Sequence, residues 1–491
     1  MTKPYPQDQS LDPEHWDTFR AQAHAALDHA LDNLQQVRER PVWQVVPEAV
    51  KQELAAFTFE EPAGTAQTLA DVERLILPYA TGNIHPRFFG WVQGSGTPGG
   101  VLATALAASM NSNVGGRDHG AVYVERTVVD WARRVFGLPE GAGGMLLSGT
   151  SMATLVALGA ARTVKAGFDV REDGLRQGPE LVVYTSTAAH MSVEKACELL
   201  GLGRRSLVRI PVDDHDRMDV RALDLQIAAD LAAGRKPFCV VATAGTVDAG
   251  AFDDLQAISA VCRAHQLWLH VDGAFGAWLR IVPELAHQVA GIELADSLAF
   301  DFHKWLHVPY DAGCVLVRKR AHLEQTFAAP VSYLARGARG MAGANPWFCD
   351  LGPELSRGFR ALSVWFTLRE HGSRRLGEKV LENCRQAQYL AAHAPSQPHL
   401  RVMAPVASSV VCLRFMPEGL SDDVLDALNA DIVADLQEHG WAAPSTTRRH
   451  GQVVIRVNIT NHRTRLEDLD ALLHFITATG TARLATLHAG A

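Results

Sequence analysis

The chain has 491 residues, 47% of them hydrophobic and 20% charged, with a formal net charge of −8. That length exceeds one compact core and predicts two or three domains. The acidic balance and the lack of any Lys/Arg-rich tract exclude a binder of nucleic-acid backbones.

The seven cysteines are scattered singly with no C-x-x-C pair, which fits a reduced cytoplasmic chain better than a disulfide framework. The first residues carry no hydrophobic signal core, and no apolar run reaches membrane-spanning length. In chain order, Asp12, Pro13 and Glu14 start an amphipathic helix predicted over 10–37, with Trp16, Phe19, Ala23, Leu27, Leu34 and Val37 on one face. Arg40 and Pro41 stop it, and a second helix is predicted over 48–57. Two helices cannot bury that face alone, so residues 1–80 read as a helical segment packed on the main body or on a second subunit.

Through 81–375, short apolar runs alternate with helical stretches. "LVVYTS" (181–186), "FCVVATAG" (238–245), "LWLHVDGA" (267–274), "SLAF" (297–300) and "GCVLVR" (313–318) have strand length. Their apolarity is continuous rather than alternating, which marks strands covered on both faces and hence a largely parallel α/β sheet. "ARGARGMAGANP" (335–346) is Gly-rich and aperiodic, a mobile-loop candidate. From 376 to 491 a helix over 377–393, the strand "SSVVCLRF", a helix over 421–439, the strand "VVIRVNIT" and a closing helix from Leu466 predict a smaller α+β domain.

The chemistry centres on "SLAFDFHKWLHVPYDAG" (297–313), where Lys304 has apolar neighbours on both sides. A desolvated lysine is a nucleophile near neutral pH and can form a Schiff base; a lysine snorkelling from a strand end is the alternative, and this stretch alone leaves both open. Asp272 ends the run "LWLHVDGA", in the crevice where α/β sheets bind ligands. Thr150 and Ser151 in "LLSGTSMATLVAL" (146–158) lie where a strand end meets a helix start, a place suited to a phosphate. His190, in "YTSTAAHMSVEKA", closes another strand and could lie against a flat ring. Together these residues describe pyridoxal phosphate. A metal site from Cys262, His265, His270 and Asp272 is not expected, because a helix end and a buried strand cannot share a tetrahedron.

"HKW", "HVDGA", "SGTSMATL" and "AGTVDAGAFDDL", with "HPRFFGW" further upstream, resemble the group II pyridoxal-phosphate decarboxylases, which include aromatic-amino-acid and glutamate decarboxylases. The resemblance covers nearly the whole chain. It implies a type I aminotransferase-like fold with a mostly parallel seven-stranded sheet, and a homodimer with the active site at the subunit interface. It makes Lys304 the covalent lysine, His303, Thr150 and Ser151 the phosphate ligands and His190 the ring-stacking residue. Asp272 becomes the partner of the pyridine nitrogen and Ala274 the small residue under the ring. Thr246 lies near the cofactor, and Tyr333, in "VSYLARG", is the loop tyrosine that delivers a proton after CO2 leaves.

The implied activity is decarboxylation of an L-amino acid to amine and CO2. Phe88, Phe89 and Trp91 favour an aromatic substrate; the rival is an acidic or small one, such as glutamate, held by Arg117 or another arginine. Oxidative conversion to an aldehyde is the nearest competitor, less favoured because Tyr333 and His190 are both present. Asp301 and Phe302 stand where the animal aromatic decarboxylases have Asn-Pro, and Val247 replaces the second threonine of Gly-Thr-Thr. The segment over 91–100 also differs, which leaves the substrate side chain open.

Overall fold

The computed structural model describes residues 10–489 apart from 177, 330–336, 338 and 344–345. Helices α1 (Trp16–Gln35), α2 (Glu48–Ala55), α3 (Gly64–Asp71), α4 (Pro98–Met110) and α5 (Gly120–Val135) come first. Alternation then begins with β1 (Gly143–Leu147), α6 (Thr150–Lys165), β2 (Leu181–Ser186), α7 (Ser192–Leu199), β3 (Leu207–Ile210) and α8 (Val220–Ala232). It continues with β4 (Lys236–Thr243), α9 (Leu255–Ala264), β5 (Trp268–Asp272), β6 (Ser297–Asp301) and β7 (Gly313–Val317). After α10 (Arg320–Phe327) and α11 (Ala361–His393) come β8 (Leu400–Val402), β9 (Val410–Phe415), α12 (Asp422–Glu438), β10 (Ser445–Arg449), β11 (Gln452–Asn458) and α13 (Leu466–Ala489).

Seven strands form one sheet in the order β1-β7-β6-β5-β4-β2-β3. β2 to β6 run parallel, while β7 runs antiparallel to both β6 and β1, so β1 shares the direction of the main set. Every residue of β1, β2, β5, β6 and β7 is buried, as continuous apolarity requires of strands covered by helices on both faces. Local sequence sets several helix starts: Thr97, Asp219 and Asp254 each accept the backbone N–H three residues on, capping α4, α8 and α9.

A second, antiparallel sheet has the order β10-β11-β9-β8 and its own core, built from Leu413, Phe415, Ile432, Ile455 and Leu472. The mostly parallel sheet with a small antiparallel C-terminal domain is the architecture the resemblance implied. α11 starts sixteen residues earlier than the helix anticipated from 377, and Gly372 (φ 72°, ψ 149°) interrupts it. The first helix is also shorter than anticipated. α1 fully buries none of its residues: Trp16 stays 53% exposed, while Phe19, Leu27 and Leu34 are half-buried where the helix meets α3, so the apolar face seen in sequence is only partly covered among the described residues.

Candidate active site

Parallel strands deliver their C-terminal ends to one edge of the sheet, so the segments leaving β1, β2, β4, β5 and β6 meet there. Register fixes the meeting: Thr243 pairs with Asp272 across β4 and β5, and Gly313 faces both Asp301 and Leu147. The approach is close. A Cβ on Gly313 would lie 2.4 Å from Gly149 Cα, so only glycine lets the β7 start pass under the β1–α6 turn.

The turn after β6 carries the lysine. Phe302, Trp305 and Leu306 are fully buried, and the Trp305 indole donates to Asn383 on α11 (3.0 Å), so the backbone around Lys304 is pinned by packing. The Lys304 side chain is only 21% exposed, and its Nζ lies 3.2 Å from Asp301 Oδ2. The apolar neighbours anchor the lysine, then, and a carboxylate accompanies it. His303 is buried. Ala312 N–H donates to its Nδ1 (3.1 Å), which places the ring proton on Nε2, 3.6 Å from Asp301 Oδ2. Burial holds the His303 pKa below the ordinary histidine value, against the opposing pull of Asp301. The Tyr310 ring packs on it at 4.3 Å between centroids.

Thr150 opens α6. Its amide donates to Asp301 Oδ1 (2.8 Å), and its hydroxyl is buried with no partner among the described residues. Ser151 follows, exposed at the second position of the helix. Asp272, at the end of β5, is 4% exposed and accepts from Ala274 N–H (3.2 Å). Burial raises its pKa, while Lys304 and His190 act to lower it, which puts the three groups within electrostatic reach of one another. His190 follows β2 and opens to the cleft. Its Nδ1 accepts from Ser192 N–H (3.2 Å) and lies 2.9 Å from Ser192 Oγ. Desolvation by the surrounding walls lowers its pKa, partly opposed by Asp272.

Other residues picked out in sequence behave differently. Thr246 is buried, but its hydroxyl accepts from Ala251 N–H (3.0 Å) and so serves the turn after β4. Tyr333 lies outside the described residues. The Phe88 and Trp91 rings lie 6.1 Å apart between centroids, and Phe89 belongs to a different core. Phe89 is fully buried in the second core, Phe88 packs with Val42 and Ala443, and only Trp91 is exposed. Arg117 stands over the Trp347 ring at 5.7 Å. The candidate metal residues separate: His265 bonds Asp224, and buried His270 bonds Ser297.

Sequence reasoning passed over Arg456. It sits mid-strand on β11, 3% exposed, with Nη1 donating to Trp91 O (2.8 Å) and with Nε and Nη2 unpartnered among the described residues. Burial lowers its pKa, opposed by Cys412 and Asp248. An arginine inside the apolar run "VVIRVNI" was the signal. Arg414 on β9 is buried too, yet it pairs with Asp422 and Asp426.

A family model described as "Pyridoxal-dependent decarboxylase conserved domain" matches residues 47–416. The chain belongs to the pyridoxal-dependent decarboxylase family. It is 33% identical to an aromatic-L-amino-acid decarboxylase of Bacillus atrophaeus, covering 92% of this chain and 93% of that one. With an aromatic-L-amino-acid decarboxylase of Sus scrofa it shares 32% identity, covering 84% and 87%. The solved structure of Oryza sativa TDC with PLP and tryptamine superposes with a TM-score of 0.88 at 25% identity, covering 96% of this chain and all of that one. Members of this pyridoxal-dependent decarboxylase family are carboxy-lyases, and pyridoxal 5′-phosphate is the cofactor. The residues present fit that group. The Thr150 hydroxyl at the α6 start, unpartnered among the described residues, suits a phosphate, and buried Asp272, which accepts from Ala274 N–H, suits a protonated ring nitrogen.

Proposed function

We propose that this pyridoxal-dependent decarboxylase removes the α-carboxyl group of an aromatic L-amino acid, releasing CO2 and the amine, with Lys304 as the covalent anchor of its cofactor. The observation that carries the reading is the convergence of Lys304, Asp272 and His190 at one sheet edge beside the α6 start. Pyridoxal 5′-phosphate, when bound, supplies an electron-accepting ring for the pair that the departing carboxylate leaves behind.

The chain's own residues do the rest. Thr150, Ser151 and His303 hold the phosphate, His303 through its Nε2–H. Asp272, sheltered from water, keeps a proton on the ring nitrogen. Ala274 leaves room beneath the ring, His190 covers its open face, and Thr246 shapes the turn beside it. Lys304 would hold the group through its amine, beside Asp301. Tyr333 delivers the proton that replaces the carboxyl group. Arg456, whose Nε and Nη2 have no partner among the described residues, is the candidate to receive the substrate carboxylate.

The aromatic relatives support the substrate class; Arg117, engaged with Trp347, gives an acidic substrate no support. A second reading, oxidative conversion to an aldehyde, draws on the Rhodiola rosea 4-hydroxyphenylacetaldehyde synthase structure (TM-score 0.85, 25% identity, covering 96% of this chain and 99% of that one). The incompletely buried apolar face of α1, with Trp16 exposed, supports a homodimer with an interface active site, and a monomer in sedimentation at micromolar concentration removes that reading. All seven cysteines are free and buried, which suits a reducing cytoplasm.

Amine, aldehyde, CO2 and oxygen uptake measured across the twenty L-amino acids, DOPA and 5-hydroxytryptophan test the proposal. Amine and CO2 from aromatic substrates in equal amounts, without oxygen uptake, are expected. Glutamate turnover overturns the substrate class, and stoichiometric oxygen uptake overturns the product.

A further inference from the structure

Asp301 touches three parts of the site at once. Oδ1 accepts from the first amide of α6, at Thr150 (2.8 Å); Oδ2 lies 3.2 Å from Lys304 Nζ and 3.6 Å from His303 Nε2. Its backbone is held on both sides. Asp301 N donates to Ala274 O (3.0 Å), and the Trp278 indole donates to Asp301 O (2.8 Å). The carboxylate is 2% exposed, and the close passage of Gly313 beneath it leaves little room to turn away.

The chemistry of this position is unusual for an anion site. The first amides of a helix have no intrahelical partner and attract anions, and here a carboxylate already takes one of them. An ionised carboxylate only accepts hydrogen bonds, so it can neither donate to a phosphate nor stand beside one without repulsion. The animal aromatic decarboxylases that the chain resembles have an asparagine here, whose amide can donate.

We propose that Asp301 is a positioning residue that restrains cofactor loading. It holds Lys304 in place by ion pairing and the neutral His303 ring by facing its Nε2–H, and in return it lowers the affinity of the cup for phosphate. The inference rests on the proposed roles of Lys304 and of the α6 start.

The test uses the full-length chain freed of cofactor, with Asp301→Asn, which preserves shape and the acceptor for Thr150 N–H. Wild type and variant are titrated with pyridoxal 5′-phosphate and with pyridoxal, following tryptophan fluorescence and visible absorbance. D301N is expected to bind the phosphorylated form about tenfold tighter than wild type does, with no gain for pyridoxal. Inorganic phosphate alone should raise its melting temperature more than that of wild type. If D301N does not melt cooperatively, D301A carries the same comparison. No gain for the phosphorylated form, or an equal gain for pyridoxal, overturns the proposal. Failure of wild type to give a borohydride-fixed adduct at Lys304 overturns the functional reading, and this inference with it.

Discussion

At the scale of single residues, the reading of Lys304 and Asp272 can be checked one atom at a time. Lys304→Ala is expected to abolish the adduct fixed by borohydride, because no other lysine stands in that buried turn; an adduct surviving on another lysine refutes the assignment. Asp272→Asn keeps the hydrogen bond from Ala274 but removes the charge that holds a ring proton. In a water-poor site that loss costs about 3–5 kcal/mol of transition-state stabilisation, hence turnover lower by roughly 100- to 1,000-fold or more with cofactor still bound. Turnover close to wild type would mean that another group protonates the ring. Both residues were legible in sequence because each ends an apolar run, and a charge at such a place needs a reason. Asp301 was visible only as a departure from a pattern. Its role depends on a contact with Thr150, 151 positions away, that no local spacing predicts. Arg456 escaped for the same reason: an arginine in an apolar strand looks alike whether carboxylates satisfy it, as at Arg414, or leave it open.

At the scale of elements, β1 shows how an edge strand is kept from foreign partners. Its outer side would expose the N–H and C=O of Leu146, an invitation to pair with another chain. Glu125 of α5 accepts that N–H (2.9 Å), Arg357 donates to that C=O, and the two fully buried side chains bond each other (2.6 Å). Arg357→Met leaves the Glu125 charge buried and unpaired, which costs about 3–5 kcal/mol. The melting temperature and denaturant midpoint should fall accordingly, and the double change E125Q/R357M should recover a large part of the loss. A single variant as stable as wild type would show that the pair is not holding the strand. Elements were legible to the extent that they were buried on both faces: β2 occupies the residues anticipated, 181–186. α4 and α5 were not seen. α4 begins inside the Gly-rich stretch over 94–100, which reads as loop, and its exposed Leu102, Leu106 and Met110 give it little amphipathic contrast.

At the scale of the whole molecule, buried histidines set the response to acid. Burial, the leading cause in each case, pushes His270 down to about 3 and His85 and His462 to about 4, and holds His307 well below the ordinary value. The unfolded chain takes up protons at these rings near pH 6.5, whereas the folded chain does not. Stability is therefore fully present above that pH and is lost as pH falls toward 4, by about 1.4 kcal/mol per unit for each ring. Asp253 acts in the opposite sense: burial raises it to about 6, so the fold keeps a proton that the unfolded chain releases. These four rings, with His190 and His303 shifted the same way, outweigh the two raised carboxyls, Asp253 and Asp272, and the melting temperature should drop steadily from pH 7 to 5.5; a flat profile contradicts this account. The antiparallel insertion of β7 bears on how the chain is made. Among the described residues β1 finds its sheet neighbour in β7 alone, about 170 residues further on, and a ribosome adding roughly 5–20 residues per second needs about 10–35 s to supply it. Through that interval the nascent chain carries an unclosed strand, and the helix that follows it has no finished floor to rest on. A chain arrested before Gly313 should be a substrate for chaperones and should not recover the fold on release, whereas one extended past Val317 can close the sheet around the β1–α6 turn.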